Sequence, residues 1–198
     1  MHRSTAHSGF TLVEMIVAVA LFSVVMLVAV GALLALVGAN RKAQALQSVM
    51  NNLDITLDGM ARSIRMGSNF HCGSTGTLTT PQDCSVNGDT LFAFEPYGNT
   101  SADQPWIYSL GTGITCGERR ICKSVNGQTA VAITAPEVSI DDMDFYVVGS
   151  NRGCTVNPCD TVQPKVVIVI KGTAPVQNSK SRTSFHIQVT AVQRLLDL

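Results

Sequence analysis

From Met15 to Ala39 the chain runs for 25 residues without a charge. As a helix, at about 1.5 Å per residue, such a run is about 37 Å long. The hydrocarbon core of a bilayer is only about 30 Å thick. The pattern then changes. Leu46, Val49, Met50, Leu53, Leu57, Met60, Ala61 and Ile64 recur at three- and four-residue steps, the spacing of one apolar helix face. Arg41, Lys42, Gln44, Gln47, Asn51, Asp54, Asp58, Arg62 and Arg65 mostly take the other positions. Gly67 is a plausible stop. The pattern predicts one helix from about Thr11 to Met66, about 84 Å long at that rise. Its first half suits a membrane, and its second half suits packing against a globular domain.

Beyond Ser68 the period shortens. Candidate strands lie at Thr90–Phe94, Trp106–Leu110, Arg120–Val125, Thr129–Thr134, Met143–Val148, Lys165–Lys171 and Ser184–Val192, where β-branched and aromatic residues concentrate. Val166 to Ile170 reads as a buried-strand run. Phe185, Ile187, Val189 and Ala191 alternate with His186, Gln188, Thr190 and Val192. Asn87-Gly88, Asn126-Gly127 and Pro158 punctuate these runs as turns. Residues 68–88 read as a loop tied by a disulfide. The expected architecture is α+β: a long N-terminal helix whose amphipathic half packs on an antiparallel sheet.

Composition narrows the picture. In a chain of 198 residues, 14 Lys and Arg balance 14 Asp and Glu, so no basic excess argues for nucleic acid as the main partner. Cys72, Cys84, Cys116, Cys122, Cys154 and Cys159 all follow the apolar run. An even number confined to one side of a membrane segment fits disulfides in an oxidising compartment. Pairing between sequence neighbours is the simplest of many connectivities. Zinc fits poorly, because there is no C-x-x-C pair and only His71 and His186 lie beyond the first residues.

The chemistry at the N-terminus is more specific. Glu14 sits at the head of the uncharged run, where a carboxylate costs about 2.5 to 3.5 kcal/mol on insertion scales unless it is partnered. It follows Gly9-Phe10-Thr11-Leu12-Val13, itself preceded by a short polar stretch. This segment resembles the processing site of type IV prepilins and of the pseudopilins of type II secretion. The resemblance implies that a membrane-embedded prepilin peptidase cuts after Gly9. Phe10 then becomes the N-methylated first residue of the mature chain. Spaced four residues apart, Phe10 and Glu14 are expected on one helix face. In the family, this carboxylate is thought to meet the Phe amine of a neighbouring subunit. Such a pairing fixes register, because either charge left unpaired in an apolar setting is costly.

The resemblance implies further partners: other pilin or pseudopilin subunits and an inner-membrane assembly platform. It also implies a location, the cytoplasmic membrane with the head outside it, followed by a pilus or periplasmic filament. The expected layout is a leader over 1–9, a membrane or filament-core helix over 10–39, its amphipathic continuation over 40–66 and a β-rich head over 67–198. The helix stretch Leu53 to Arg65 and the closing strand Val189 to Arg194 are similar to the larger minor pilins, most of all the J-type pseudopilin and W-type minor pilin group. An ordinary secretory signal fits less well, since its apolar core is shorter and its cleavage site follows that core. The alternative is an uncleaved, membrane-anchored extracytoplasmic binding domain, which has no need of a Gly-Phe site beside Glu14.

Other chemistry is thin. No G-x-S-x-G, H-E-x-x-H or Walker-A sequence occurs, so an enzyme is not expected, and no cofactor is implied. Glu137, Asp141, Asp142 and Asp144 supply oxygen ligands but not the EF-hand spacing, and read as a solvated acidic turn rather than a metal site. Tyr97, Trp106, Tyr108, Phe92 and Phe94 divide between core packing and a surface patch, with core packing favoured. Asn99-Thr100-Ser101 is a formal glycosylation sequon.

Overall fold

The computed structural model describes residues 9–98, 104–113, 116–151, 162–174 and 183–194. Helix α1 spans Leu12–Met66 without interruption. Gly31 and Gly38 lie inside it, and neither breaks it. The chain divides into two units, one up to Gln44 and one from Ala45 onward. In the first unit the apolar side chains from Leu12 to Val37 are exposed. The lone hydroxyl of this run with a recorded partner, that of Ser23, donates to the Val19 carbonyl at 2.8 Å. By length and composition α1 is able to cross a membrane.

In the second unit α1 turns amphipathic. Val49, Leu53, Leu57, Met60 and Ile64 are buried, the face that the three- and four-residue spacing predicts. Arg65 in the last turn complements the negative end of the helix dipole. The helix stops at Gly67, whose N–H donates to the Ile64 carbonyl at 3.0 Å. Its glycine is needed for space rather than for a left-handed turn. A Cβ there would run into the Phe94 ring and lie 2.9 Å from the Glu95 carbonyl oxygen.

Two antiparallel sheets cover that face. The first has the order β1-β2-β3-β4-β5, formed by Ser68–Cys72, Leu91–Glu95, Trp106–Thr112, Glu118–Ser124 and Val131–Ala132. In the second, β6 (Ser139–Val148), β7 (Lys165–Ala174) and β8 (Thr183–Val192) lie side by side. The β7–β8 ladder is unbroken from Lys165↔Val192 to Ala174↔Thr183. Phe92 links the layers: its ring lies 5.6 Å from Phe70, 5.5 Å from Phe94 and 5.5 Å from Phe145 of β6. The architecture is α+β and pilin-like, with two sheets where the sequence suggests one.

Strand β1 corrects the expectation of a loop from residue 68. Phe70, His71 and Cys72 are buried in succession, and Asn69 has a positive φ of 52°. The register with β2 shifts between Ser68 and His71. No two-residue alternation survives such an irregularity, which leaves the strand invisible to periodicity.

Candidate processing and assembly site

The chain enters α1 through Gly9, Phe10 and Thr11. Nothing lies within 4 Å of a Cβ placed on Gly9, and Phe10 is 80 % exposed. The helix begins at Leu12, so Thr11 is its N-cap and Glu14 its third residue. Thr11 Oγ1 accepts the Glu14 N–H at 3.3 Å, and the Thr11 carbonyl accepts from Met15 N–H at 3.3 Å. Thr-x-x-Glu at these positions has capping-box spacing. It satisfies one of the orphan amides at the N-terminus and sets the Glu14 carboxylate at the positive end of the dipole. The Thr-x-x-Glu spacing is the signal by which sequence reasoning, which missed this role for Thr11, could have found it.

Phe10 therefore precedes the first helical turn. The expected same-face relation between Phe10 and Glu14 presumes that both are helical, and here only Glu14 is.

Two of the cysteine pairs are bonded. Cys72–Cys84 joins the end of β1 to the segment before β2, and Cys116–Cys122 closes the β3–β4 connection. Gly111 makes room for the second bond, since a Cβ there would lie 2.8 Å from Cys122 Sγ. Cys154 and Cys159 fall outside the described residues, as does the Asn99-Thr100-Ser101 sequon.

The remaining candidate groups are dispersed over the head. His71 is fully buried in β1, with Nδ1 2.7 Å from the Thr80 carbonyl and Nε2 3.0 Å from the Thr75 carbonyl. His186 lies exposed on β8. The acids around the start of β6 are spread among separate partners. Asp141 pairs with Arg119, and Lys171 donates to Asp142 at 2.8 Å. Asn52 lies 3.5 Å from Glu137. A register shift between Ile140 and Asp142 turns Asp141 out of the ladder toward Arg119, a common use of a bulge. Burial, followed by the neighbouring Asp142, pushes the Asp144 carboxyl up. Among the described residues no three His, Cys, Asp or Glu side chains are grouped to hold a metal.

The aromatic residues divide. Phe92, Phe94 and Tyr108 are buried, whereas Tyr97 is 72 % exposed. Trp106 is half-buried beneath Lys123, whose Nζ stands 3.4 Å from the ring centroid. Burial lowers the Lys123 pKa.

Compared with known families, residues 5–30 match the prokaryotic N-terminal methylation motif. No curated protein and no solved structure gives a significant match. The match is confined to the N-terminal segment and supports a pilin- or pseudopilin-like protein. Such a motif implies processing by a prepilin peptidase and assembly with other pilin subunits, a structural part rather than an enzyme's. Membrane anchoring fits the same motif and the apolar half of α1.

Proposed function

We propose that this chain is a minor pilin or pseudopilin, a subunit of a type IV pilus or of a type II secretion-like filament. It is stored in the cytoplasmic membrane with its head outside, cut after Gly9, methylated on Phe10 and assembled through α1. Glu14 sets register by meeting the Phe10 amine of a neighbour. Within the filament the uncharged half of α1 supplies apolar packing, and the β-rich head is displayed. The sizeable, cysteine-containing head supports a minor role at the tip, and the loose likeness to J-type and W-type subunits points the same way.

The observation that carries this reading is the placement of Gly9-Phe10 and Glu14 at the head of an uncharged, membrane-length helix, inside the matched methylation motif. Intact mass and N-terminal sequencing of the protein from its native membranes test it. A chain starting at methylated Phe10 is expected. A chain starting at Met1 would replace this reading with the uncleaved anchored domain, and one starting beyond Ala39 with a secreted protein.

A further inference from the structure

A cleft of about 290 Å³ opens where the end of α1 meets the end of β8, lined by Asp58, Ala61, Arg62, Arg65, Met66 and Arg194. Sequence separates Arg194 widely from the other two arginines. The fold brings it there through the backbone, with Arg194 N–H donating to the Arg65 carbonyl at 2.8 Å. Among the described residues, three arginines thus line one cavity with one aspartate.

Among the described residues, little uses these charges. Asp58 and Arg62 lie 3.3 Å apart, with side chains 73 % and 79 % exposed, and a pair so hydrated holds its members weakly. Among the described residues neither Arg65 nor Arg194 has a carboxylate partner. Nor are they occupied in capping the helix. The Ile64 and Arg65 carbonyls already accept the main-chain N–H groups of Gly67 and Arg194. The helix dipole accounts for a cation at Arg65 but not for one delivered from β8.

We infer that this cleft binds a phosphate group, as free phosphate or as the phosphomonoester of a lipid headgroup. Among the described lining residues, three guanidiniums against one carboxylate leave two positive charges. A phosphomonoester carries about 1.5 to 2 negative charges at neutral pH and presents three acceptor oxygens. Guanidinium forks match such oxygens in pairs. A single carboxylate would engage at most two of the forks and leave one cation over. The inference is independent of filament assembly.

The test is equilibrium binding of radiolabelled inorganic phosphate to the full-length chain in maltoside micelles. Dihexanoyl phosphatidic acid serves as a competitor that represents the lipid source. Saturable one-site binding is expected. Arg194→Gln or Arg65→Gln should weaken it at least tenfold with an unchanged far-UV spectrum, and Arg194→Lys should weaken it less. Asp58→Asn should tighten it severalfold. Arg41→Gln, elsewhere on α1, should leave it unchanged. Competition by the lipid at lower concentration than phosphate would assign the site to a headgroup, and the reverse order to the free anion. Non-saturable binding, or binding indifferent to both Arg65→Gln and Arg194→Gln, would overturn the inference.

Discussion

The Glu14 amide donates to the Thr11 hydroxyl across the first turn of α1. The residue proposed to dock a neighbouring subunit is thus held at the start of its helix by a cap three residues earlier. Thr11→Ala should cost about 1 kcal/mol of local helix stability. Hydrogen exchange on the full chain in micelles should show faster exchange at Val13 and Glu14, with the head unchanged. Unaltered exchange at these amides would remove the cap.

Glu14→Gln tests the docking role itself. It leaves the Glu14 main-chain N–H free to bond Thr11 while removing the charge. Cleavage after Gly9 should proceed, and incorporation into sheared fibres should fall at least tenfold. Normal incorporation would mean that register is set elsewhere.

The proposed processing site is tested at Gly9, the exposed residue before Phe10. Gly9→Leu should leave uncleaved precursor as the main band on an immunoblot of whole cells. A normal mature band would exclude cleavage at this bond.

Gly67 and Phe94 meet where α1 gives way to β1. Gly67→Ala forces a methyl group against the Phe94 ring and the Glu95 carbonyl. Overpacking of this kind costs about 1 to 3 kcal/mol. A fall in the melting temperature of the head transition is expected, and Phe94→Leu in the same chain should recover part of it. An unchanged melting temperature in Gly67→Ala would show that the ring moves freely.

Tyr108 gives the head a sensitivity to alkali. Burial raises its phenol pKa, partly offset by a hydrogen bond from Ser63. Since its folded value lies above the unfolded one, the unfolded chain loses this proton first as pH rises beyond about 10. Stability should therefore decline from that pH upward until the folded phenol also ionises. Denaturant titrations across this range should show a shallower decline for Tyr108→Phe. Parallel curves would assign the alkaline loss to other groups.

The helix was legible because both of its halves obey simple rules: absence of charge from Met15 to Ala39, and a buried stripe from Val49 to Ile64. Strands β7 and β8 were equally plain, since Val166 to Ile170 and the alternation from Phe185 to Ala191 follow the pleat. The division into two sheets was not. It depends on long-range pairings such as Phe92 against Phe145, on which local periodicity is silent. In β1 the buried His71 carried the wrong signal, because it finds its partners in the Thr75 and Thr80 carbonyls rather than in water. At the N-terminus the motif was readable residue by residue. That Thr11 ends the helix, leaving Phe10 outside it, required the cap to be seen. The arginine cleft was out of reach of sequence, because Arg194 joins Arg62 and Arg65 only through the fold.

Within the second unit α1 is part of the core beneath the sheets, which makes it a mechanical element there. A load along this part of the helix falls as shear on the row Val49, Leu53, Leu57, Met60 and Ile64. Many interlocked side chains must then slide together, whereas peeling would break them one at a time. At the far end of the row the Arg194–Arg65 bond and the tight turn at Gly67 tie the helix to both sheets. Drawing this part of the helix out of the head would therefore mean shearing its whole packed row.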